Sequence, residues 1–215
     1  MKHRIVLAIF SLLSVLAVPT YASPYNDFWE WFKTNEGMIY DFEKDQEETF
    51  DQLAVALAKI NPDLTFEFGP ILSNKKREFV ISAGGIKASF GSVEALVDSA
   101  PKLDKWILVK YRQRRTSLND LSINGVSVKA SDVFYNLYKD GEKLGVILFF
   151  DSYTEADHSL YAHLGFLFLD ESLGEFDVAT KIGFIELRNK KSQYFSGARP
   201  LKELSNQVDN YYAIN

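Results

Sequence analysis

Apolar residues recur at helical spacing at the start of the segment that follows residue 22. Phe28, Trp31 and Phe32 fall at positions i, i+3 and i+4, which predicts an amphipathic helix. Ser23-Pro24 is typical of a helix start, with a capping residue and then proline at the first helical position. Because Trp29 and Trp31 cannot both face inward fully, Trp29 is a candidate for a partly exposed aromatic that contacts a ligand or partner. The alternative is that it belongs to the core.

The next segments change from a helical to a strand period. Asp45 and Glu48 have the spacing of a capping box, which predicts a second helix that ends before Asn61-Pro62. Apolar residues at every second position over 64–68 predict a half-buried strand. A second apolar strand is predicted over 77–83, and the short polar turn between the two favours a hairpin.

The rest of the chain mixes hairpins and helices. The apolar run over 106–109, together with Tyr111, predicts a central strand that is covered on both faces. Two-residue turns at Asn124-Gly125 and around Asp140-Gly141 predict two more hairpins, the second being the longest in the chain. Few polar positions interrupt 159–174, which predicts a largely buried helix. The remaining predicted elements are a helix over 86–100, a strand over 181–187 and a closing helix over 201–212.

This order of elements favours an α+β fold. Helices and hairpins are mixed without regular strand–helix–strand alternation, so we expect a mixed, mostly antiparallel sheet packed with helices in a single layered domain. A division into 23–115 and 116–215 is open, because residues 112–120 are polar and loop-like. We favour one domain over 23–215, because we expect each half alone to offer too few strands to shield its helices. No internal repeat is visible in the residues.

Residues 1–22 have the pattern of a secretory signal peptide. Basic residues Lys2 and Arg4 precede an apolar run over 5–18, and the small residues Thr20 and Ala22 occupy the positions that signal peptidase reads. The apolar run is shorter than the ~20 residues that a membrane-spanning helix needs. We therefore expect cleavage after Ala22, a periplasmic or secreted location and no stable membrane insertion afterwards.

Composition narrows the possible functions. Removal of Lys2 and Arg4 changes the formal net charge from −5 to −7, which disfavours nucleic-acid binding. The chain has no cysteine, so it can hold neither a disulfide nor a thiolate-ligated metal. No cofactor or metal motif is predicted.

Signals for catalytic motifs are weak. His158 and His163 remain after cleavage, at i, i+5 rather than the i, i+4 spacing of a helical zinc pair. The favoured interpretation is structural, with His158 at the start of a helix and His163 packed in the protein. Gly84-Gly85 lies between a predicted strand and helix, as in a phosphate loop, but a turn glycine pair accounts for it better.

One basic and one acidic segment could form a site. Arg112 and Arg114 follow the predicted strand 106–111 and would point to the same side, where two guanidinium groups can clamp a carboxylate or phosphate. We favour internal pairing of these arginines with the acids of 170–177. Those acids, which can also serve acid–base chemistry or bind a cation, are Asp170, Glu171, Glu175 and Asp177. Glu171 and Glu175 share a helix face if the helix extends that far.

Four sequence blocks carry a resemblance. They are FWEWF at 28–32, EFVISAGG at 78–85, APKLDKW at 100–106 and LDESLGE at 169–175. With these blocks the chain resembles a group of bacterial proteins of unknown function. The resemblance implies a single fold unit and brings no activity, cofactor or site residue.

Two functional hypotheses follow. The first is an exported, non-catalytic module that binds a protein or a small-molecule ligand, because catalytic motifs are weak and aromatic residues abundant. The second is a hydrolase or metal-assisted enzyme that uses the carboxylates of 170–177 with His163 and Arg112. The second requires Arg112, Glu171 and His163 to surround one pocket. We favour the first.

Overall fold

The computed structural model describes residues 23–214, so the predicted signal peptide lies outside the described residues. The helices within this range are α1 (Pro24–Thr34), α2 (Glu36–Tyr40), α3 (Gln46–Ala58), α4 (Phe90–Asp98), α5 (His158–Leu173), α6 (Glu175–Lys181) and α7 (Leu204–Ile214). The strands are β1 (Thr65–Ile71), β2 (Arg77–Ser82), β3 (Trp106–Lys110), β4 (Leu121–Ile123), β5 (Val126–Val128), β6 (Phe134–Asp140), β7 (Lys143–Phe150), β8 (Ile182–Asn189) and β9 (Arg199–Pro200).

The fold is α+β, as the order of elements predicts. The strands form three sheets, with the orders β1-β2-β3, β4-β5 and β8-β7-β6-β9. Most strand pairs are antiparallel, and the parallel ones are β2 with β3 and β7 with β8. In the part of the chain that the structure describes, no helix has both the length and the apolar character needed to cross a membrane.

The first sheet belongs to an N-terminal unit, residues 23–111. Its hydrophobic cluster is rich in aromatic rings, and Phe32 stacks on Phe79 with ring centres 5.3 Å apart. The prediction that 106–111 forms a central strand is wrong, because within residues 23–214 β3 pairs with β2 alone and lies at the sheet edge. An apolar run indicates that both faces of a strand are partly covered. It does not show whether the strand lies at the centre or at the edge of the sheet.

The third sheet belongs to a C-terminal unit, residues 118–214, which has a separate and mainly aliphatic cluster. The β4-β5 hairpin packs on this cluster. Its turn is the predicted one, since Asn124 and Gly125 have φ values of 50° and 80°. Helix α5 lies close to the sheet at Gly165, where an added Cβ would come within 3.1 Å of Leu187.

The two units repeat one arrangement of elements. In each, an antiparallel hairpin is followed by a crossover helix and then by a strand parallel to the hairpin's second strand, as β1-β2-α4-β3 and as β6-β7-α5-α6-β8. The second unit has α6 as an additional short helix before its last strand. The connections also match. Loops 83–86 and 151–154 each lead into a three-residue 3₁₀ turn, Lys87–Ser89 or Glu155–Asp157, and then into the helix.

This repeat removes one argument for a single domain. The expectation that each half has too few strands is wrong, because each unit has a sheet and a hydrophobic cluster of its own. The polar contacts between the units converge on residues 112–115 and on the ends of α5 and α6. Beside them, Phe176 of α6 packs on Phe90 and Tyr111 of the N-terminal unit, with ring centres 5.9 and 5.7 Å apart. A single domain over 23–215 stays a prediction.

Candidate functional site

Arg112 lies where the two units meet, directly after β3. Its Nε donates to Glu67 Oε1 at 2.5 Å, and one Nη donates to Thr65 Oγ1 at 3.2 Å, both on β1. The other Nη donates to Asp170 Oδ2 on α5 at 3.4 Å. Only 17% of the Arg112 side chain is exposed. We call Glu67, Arg112, Asp170 and Glu175 the junction cluster.

Glu175, the first residue of α6, is fully buried at 0% exposure. Its Oε1 accepts the backbone N–H groups of Ala83 at 2.9 Å and Gly85 at 3.1 Å. Its Oε2 accepts the N–H of Arg112 at 3.1 Å. Gly84 and Gly85 have φ values of 59° and 81°, a conformation in which successive N–H groups form a concave anion site. The loop that resembles a phosphate loop therefore holds the chain's own carboxylate through Ala83 and Gly85, while the N–H of Gly84 donates to Ser82 Oγ at 3.0 Å.

Asp170 is 5% exposed and faces Arg112. Burial raises the pKa of this carboxyl to about 7; Arg112 opposes the rise, while Glu175 and Glu67 add to it. The cluster holds three carboxyl groups around one guanidinium group, so a proton on Asp170 relieves repulsion between the carboxylates. This chemistry suits a structural junction that takes up a proton near neutral pH.

The remaining predicted charges form internal ion pairs. Both Nη atoms of Arg114 bind Asp209 on α7, at 2.7 and 3.0 Å. Glu171 accepts the backbone and side-chain N–H groups of Asn119, both at 2.8 Å, and lies 3.1 Å from Arg115 Nε. The favoured prediction, internal pairing of the arginines, is confirmed. The acids of 170–177 supply some of the partners, and Glu67 and Asp209 supply the rest.

Glu171 and Glu175 do not share a helix face. Helix α5 ends at Leu173, and Gly174 adopts a φ of 84° before α6 begins. An added Cβ on Gly174 would lie 3.3 Å from the Arg114 nitrogen, so the chain turns here against segment 112–114. The turn sends Glu171 towards the polar segment 115–119 and Glu175 into the N-terminal unit.

His163 does not join these groups. It is exposed on α5, seven residues before Asp170 and therefore about 10 Å away along the helix axis. The expectation of a packed histidine is wrong, because α5 presents Leu164 and Phe168 to the core and leaves His163 on the solvent side. His158 Nδ1 lies 3.0 Å from the Tyr153 hydroxyl.

Trp29 is 2% exposed, so the prediction of an exposed Trp29 is wrong. Its Nε1 donates to the carbonyl of Leu96 at 2.9 Å. The buried residues of α1 are Phe28, Trp29 and Phe32. The helix is therefore rotated relative to the prediction, which placed Trp31 rather than Trp29 on the buried face. Trp31 is the partly exposed tryptophan.

A cavity of about 510 Å³, which the sequence does not predict, lies in the C-terminal unit. We call it the β7 cavity, because it opens beside the last residue of β7, Phe150. Its inner wall is apolar and comes from three elements: Val126 and Val128 of β5, Phe150 of β7, and Leu160 and Tyr161 of α5. Phe150 and Tyr161 are almost fully buried.

The rim of the β7 cavity is charged and exposed. Asp132, Asp151 and Asp157 contribute carboxylates, and Lys129 is the one cationic side chain among its lining residues. Asp151 is paired with Lys190 at 2.8 Å. Across residues 23–214, no group of three or more acidic or histidine side chains is arranged to hold a metal ion.

Sequence reasoning identified the elements around the β7 cavity without bringing them together. The Asn124-Gly125 hairpin, the end of the long hairpin and the start of α5 are all visible as separate patterns. One signal could have directed attention here. In sheets with parallel strands, ligands bind beyond the carboxyl ends of the strands, and residues 151–157 follow such an end.

Comparison with models of protein families, with curated proteins and with solved structures finds no match to this chain. The resemblance carried by the four sequence blocks stays a prediction.

Proposed function

We propose that this chain is an exported, non-catalytic binding protein and that the β7 cavity is its ligand site. The observation that carries the proposal is the cavity itself. Its volume of about 510 Å³ falls within the ~300–1,000 Å³ of small-molecule sites. An apolar wall with a charged rim suits a ligand whose apolar part is buried and whose polar group fixes its orientation.

The place of the β7 cavity in the fold supports the same proposal. It lies beyond the carboxyl end of β7, which pairs in parallel with β8, and beside the first turn of α5. Strand β5 of the β4-β5 hairpin supplies a further part of its wall, through Val126 and Val128. A rigid sheet and helix can hold one side of a ligand while the hairpin contacts the other.

The charges of the junction cluster support a structural role for that region. Glu175 is saturated by backbone N–H groups, and Arg112 is divided between Glu67 and Asp170. These groups satisfy one another and join the units, so in this proposal they hold the binding unit in place. The pattern in residues 1–22 supports export, and the acidic net charge supports a partner other than nucleic acid.

The alternative is a hydrolase or metal-assisted enzyme. One observation favours it: the pKa of Asp170, raised to about 7, suits acid–base chemistry. Against it, Arg112, Glu171 and His163 have separate surroundings rather than one shared pocket. If the purified protein turned over substrates from a broad hydrolase panel, and Glu171→Gln abolished that turnover, the binding proposal would be wrong.

The binding proposal is tested by blocking the cavity. Ser152 is exposed and lines it, whereas Ser159 is exposed on the neighbouring helix and does not. Saturation-transfer NMR with a set of small aromatic and aliphatic amines, acids and amides should detect binders to the unaltered protein. Ser152→Trp should abolish their signal, and the matched Ser159→Trp should retain it. Binders that are insensitive to Ser152→Trp would place the ligand site elsewhere.

A further inference from the structure

The β7 cavity has a counterpart in the N-terminal unit. Loop 83–86 follows β2 as loop 151–154 follows β7, and each continues through a 3₁₀ turn into the crossover helix. In the N-terminal unit this position is filled, because the Glu175 carboxylate binds the N–H groups of Ala83 and Gly85. In the C-terminal unit the same position borders the β7 cavity.

Loop 83–86, which binds the Glu175 carboxylate, shows what this loop of the fold can bind. The N-terminal loop, Ala83-Gly84-Gly85-Ile86, begins without charged side chains and offers backbone N–H groups to an anion. Its occupant comes from α6, an element that the N-terminal unit lacks between α4 and β3. The loop after the second strand is therefore a place where this fold receives a charged group from elsewhere.

Loop 151–154 of the C-terminal unit presents the opposite hydrogen-bonding groups to those of loop 83–86. Loop 151–154 begins with an acid, Asp151, and Asp157 ends the 3₁₀ turn that follows. Its backbone carbonyls are also used, since those of Asp151 and Tyr153 accept the side-chain amide of Asn189 at 2.6 and 3.1 Å. The loop thus presents acceptors where its counterpart presents donors.

Two rim carboxylates keep acceptor capacity. Asp151 is paired with Lys190, but within residues 23–214 neither Asp132 nor Asp157 forms an ion pair. Asp157 accepts the Thr154 hydroxyl at 2.6 Å, and Asp132 accepts that of Ser131 at 3.2 Å. A carboxylate has about four lone-pair sites, so each can accept more donors.

We propose that the β7 cavity takes a small molecule in which a protonated amine is attached to an apolar body, a specificity that rests on the proposed binding function. The amine binds the carboxylates of Asp132 and Asp157 at the rim. The apolar body lies against Phe150, Leu160 and Tyr161. Lys129 disfavours a ligand with a second positive charge and is compatible with one that also carries a carboxylate.

A set of phenylalanine derivatives tests the protonated amine and the apolar body separately. Phenylalaninamide has the amine and an apolar body, N-acetyl-phenylalaninamide lacks the charge, N-acetyl-phenylalanine is an anion, and glycinamide lacks the apolar body. Titrations of the ¹⁵N-labelled protein, followed by NMR at low salt, should rank phenylalaninamide first, by about fivefold over its acetylated form for two solvent-exposed charge contacts. Because exposed charges are screened by salt, the preference should shrink at 1 M NaCl.

A charge-matched pair of variants tests the residues. Asp132→Asn combined with Asp157→Asn should remove the preference for phenylalaninamide. Asp51→Asn combined with Asp104→Asn removes two exposed carboxylates of the N-terminal unit and should retain it. All four side chains are exposed, so we expect both variants to fold, and dispersed NMR spectra check this.

The outcomes separate the ligand class from the binding function. If N-acetyl-phenylalaninamide or N-acetyl-phenylalanine binds as well as phenylalaninamide, and Ser152→Trp abolishes that binding, the site stands and the amine specificity is wrong. A preference for phenylalaninamide that survives Asp132→Asn with Asp157→Asn also overturns the specificity. If no phenylalanine probe perturbs residues around the cavity, the specificity is wrong, and the broader NMR screen decides separately whether the binding function stands.

Discussion

The N-terminal and C-terminal units begin their crossover helices in the same way, yet the loop before the helix is occupied in one unit and open in the other. In the N-terminal unit, loop 83–86 closes around the Glu175 carboxylate. In the C-terminal unit, loop 151–154 borders a cavity of about 510 Å³. The α6 helix makes this difference, because it supplies the residue that fills the first position. One unit uses the loop for assembly, which leaves the other as the candidate for binding.

The hydrophobic clusters of the two units also differ in composition. The N-terminal cluster is built on aromatic rings, including all three tryptophans of the chain, whereas the C-terminal cluster is mainly leucine and valine. Tryptophan fluorescence therefore reports on the N-terminal unit alone, while far-ultraviolet circular dichroism reports on both. The two signals make the comparison between the units measurable.

The largest expected effect comes from Glu175→Ala. The substitution leaves one buried and two partly buried backbone N–H groups without their acceptor, so we expect a loss of about 3–5 kcal/mol in the free energy of unfolding. Urea denaturation measures it. Glu47→Ala, an exposed residue in the first turn of α3, should stay within about 0.5 kcal/mol of the unaltered protein. A loss below about 1 kcal/mol for Glu175→Ala would contradict a structural role for the filled loop.

The same variant tests whether the units unfold together. In the unaltered protein we expect the fluorescence and circular dichroism transitions to coincide, as in a single cooperative domain. In Glu175→Ala the transitions should separate, because the buried contact between the units is lost. Separate transitions in the unaltered protein would replace the single domain over 23–215 with two.

Asp170→Asn should change how stability depends on pH. In the folded protein the pKa of Asp170 is about 7, above the ordinary value of 3.8, so the folded state binds more protons between these values. The free energy of unfolding should therefore fall as pH rises from about 4 to about 7, by on the order of 2–4 kcal/mol. Asp170→Asn should flatten this slope. Urea denaturation at several pH values checks it, with Asp177→Asn as the control, and an unchanged slope would contradict the assignment.

Gly145→Ala probes the C-terminal sheet alone. A Cβ at Gly145, on β7, would overlap the ring of Phe184 on β8, so we expect a loss of about 1–3 kcal/mol. Gly91→Ala is the matched control, because a Cβ there meets nothing within 4 Å in helix α4, and alanine should add about 0.5–1 kcal/mol. A neutral Gly145→Ala would mean that the Phe184 ring moves aside freely.

The smallest effect is expected at the exposed ion pair between Arg114 and Asp209. A double-mutant cycle with Arg114→Met and Asp209→Asn should give a coupling energy of about 0.2–1 kcal/mol, since both side chains are partly exposed. This coupling energy should be smaller than the loss for Glu175→Ala, because we expect the buried contacts, rather than the exposed ion pair, to hold the units together. A coupling energy above about 2 kcal/mol would show that the exposed pair contributes comparably.

Much of the local structure could be predicted because local signals determine it. Ser23-Pro24 begins α1, Asp45 begins α3 and Asn124-Gly125 forms the turn of β4-β5, each through the backbone preference of the residues concerned. Even here the side chains depart from the pattern. Asp45 makes no side-chain capping bond, so the helix start was predicted correctly while the capping box did not form.

The candidate sites depended on contacts that no local pattern encodes. The partners of Glu175 lie 92, 90 and 63 residues earlier in the chain, and the β7 cavity joins three elements between Val126 and Tyr161. Charge alone indicated that the arginines pair with acids. It did not indicate which acids, because Glu67 and Asp209 lie far from the segment 170–177.

The sequence by itself determined the class of the fold, the starts of α1 and α3, the turns of its hairpins and the absence of cysteine chemistry, because each depends on residue type and short-range spacing. The tertiary structure alone decided that two similar units face each other across a buried carboxylate, that Trp29 is buried and that one crossover loop is filled while the other borders a cavity. Those outcomes depend on how helices rotate and sheets meet, which the free energy of the whole packed chain selects.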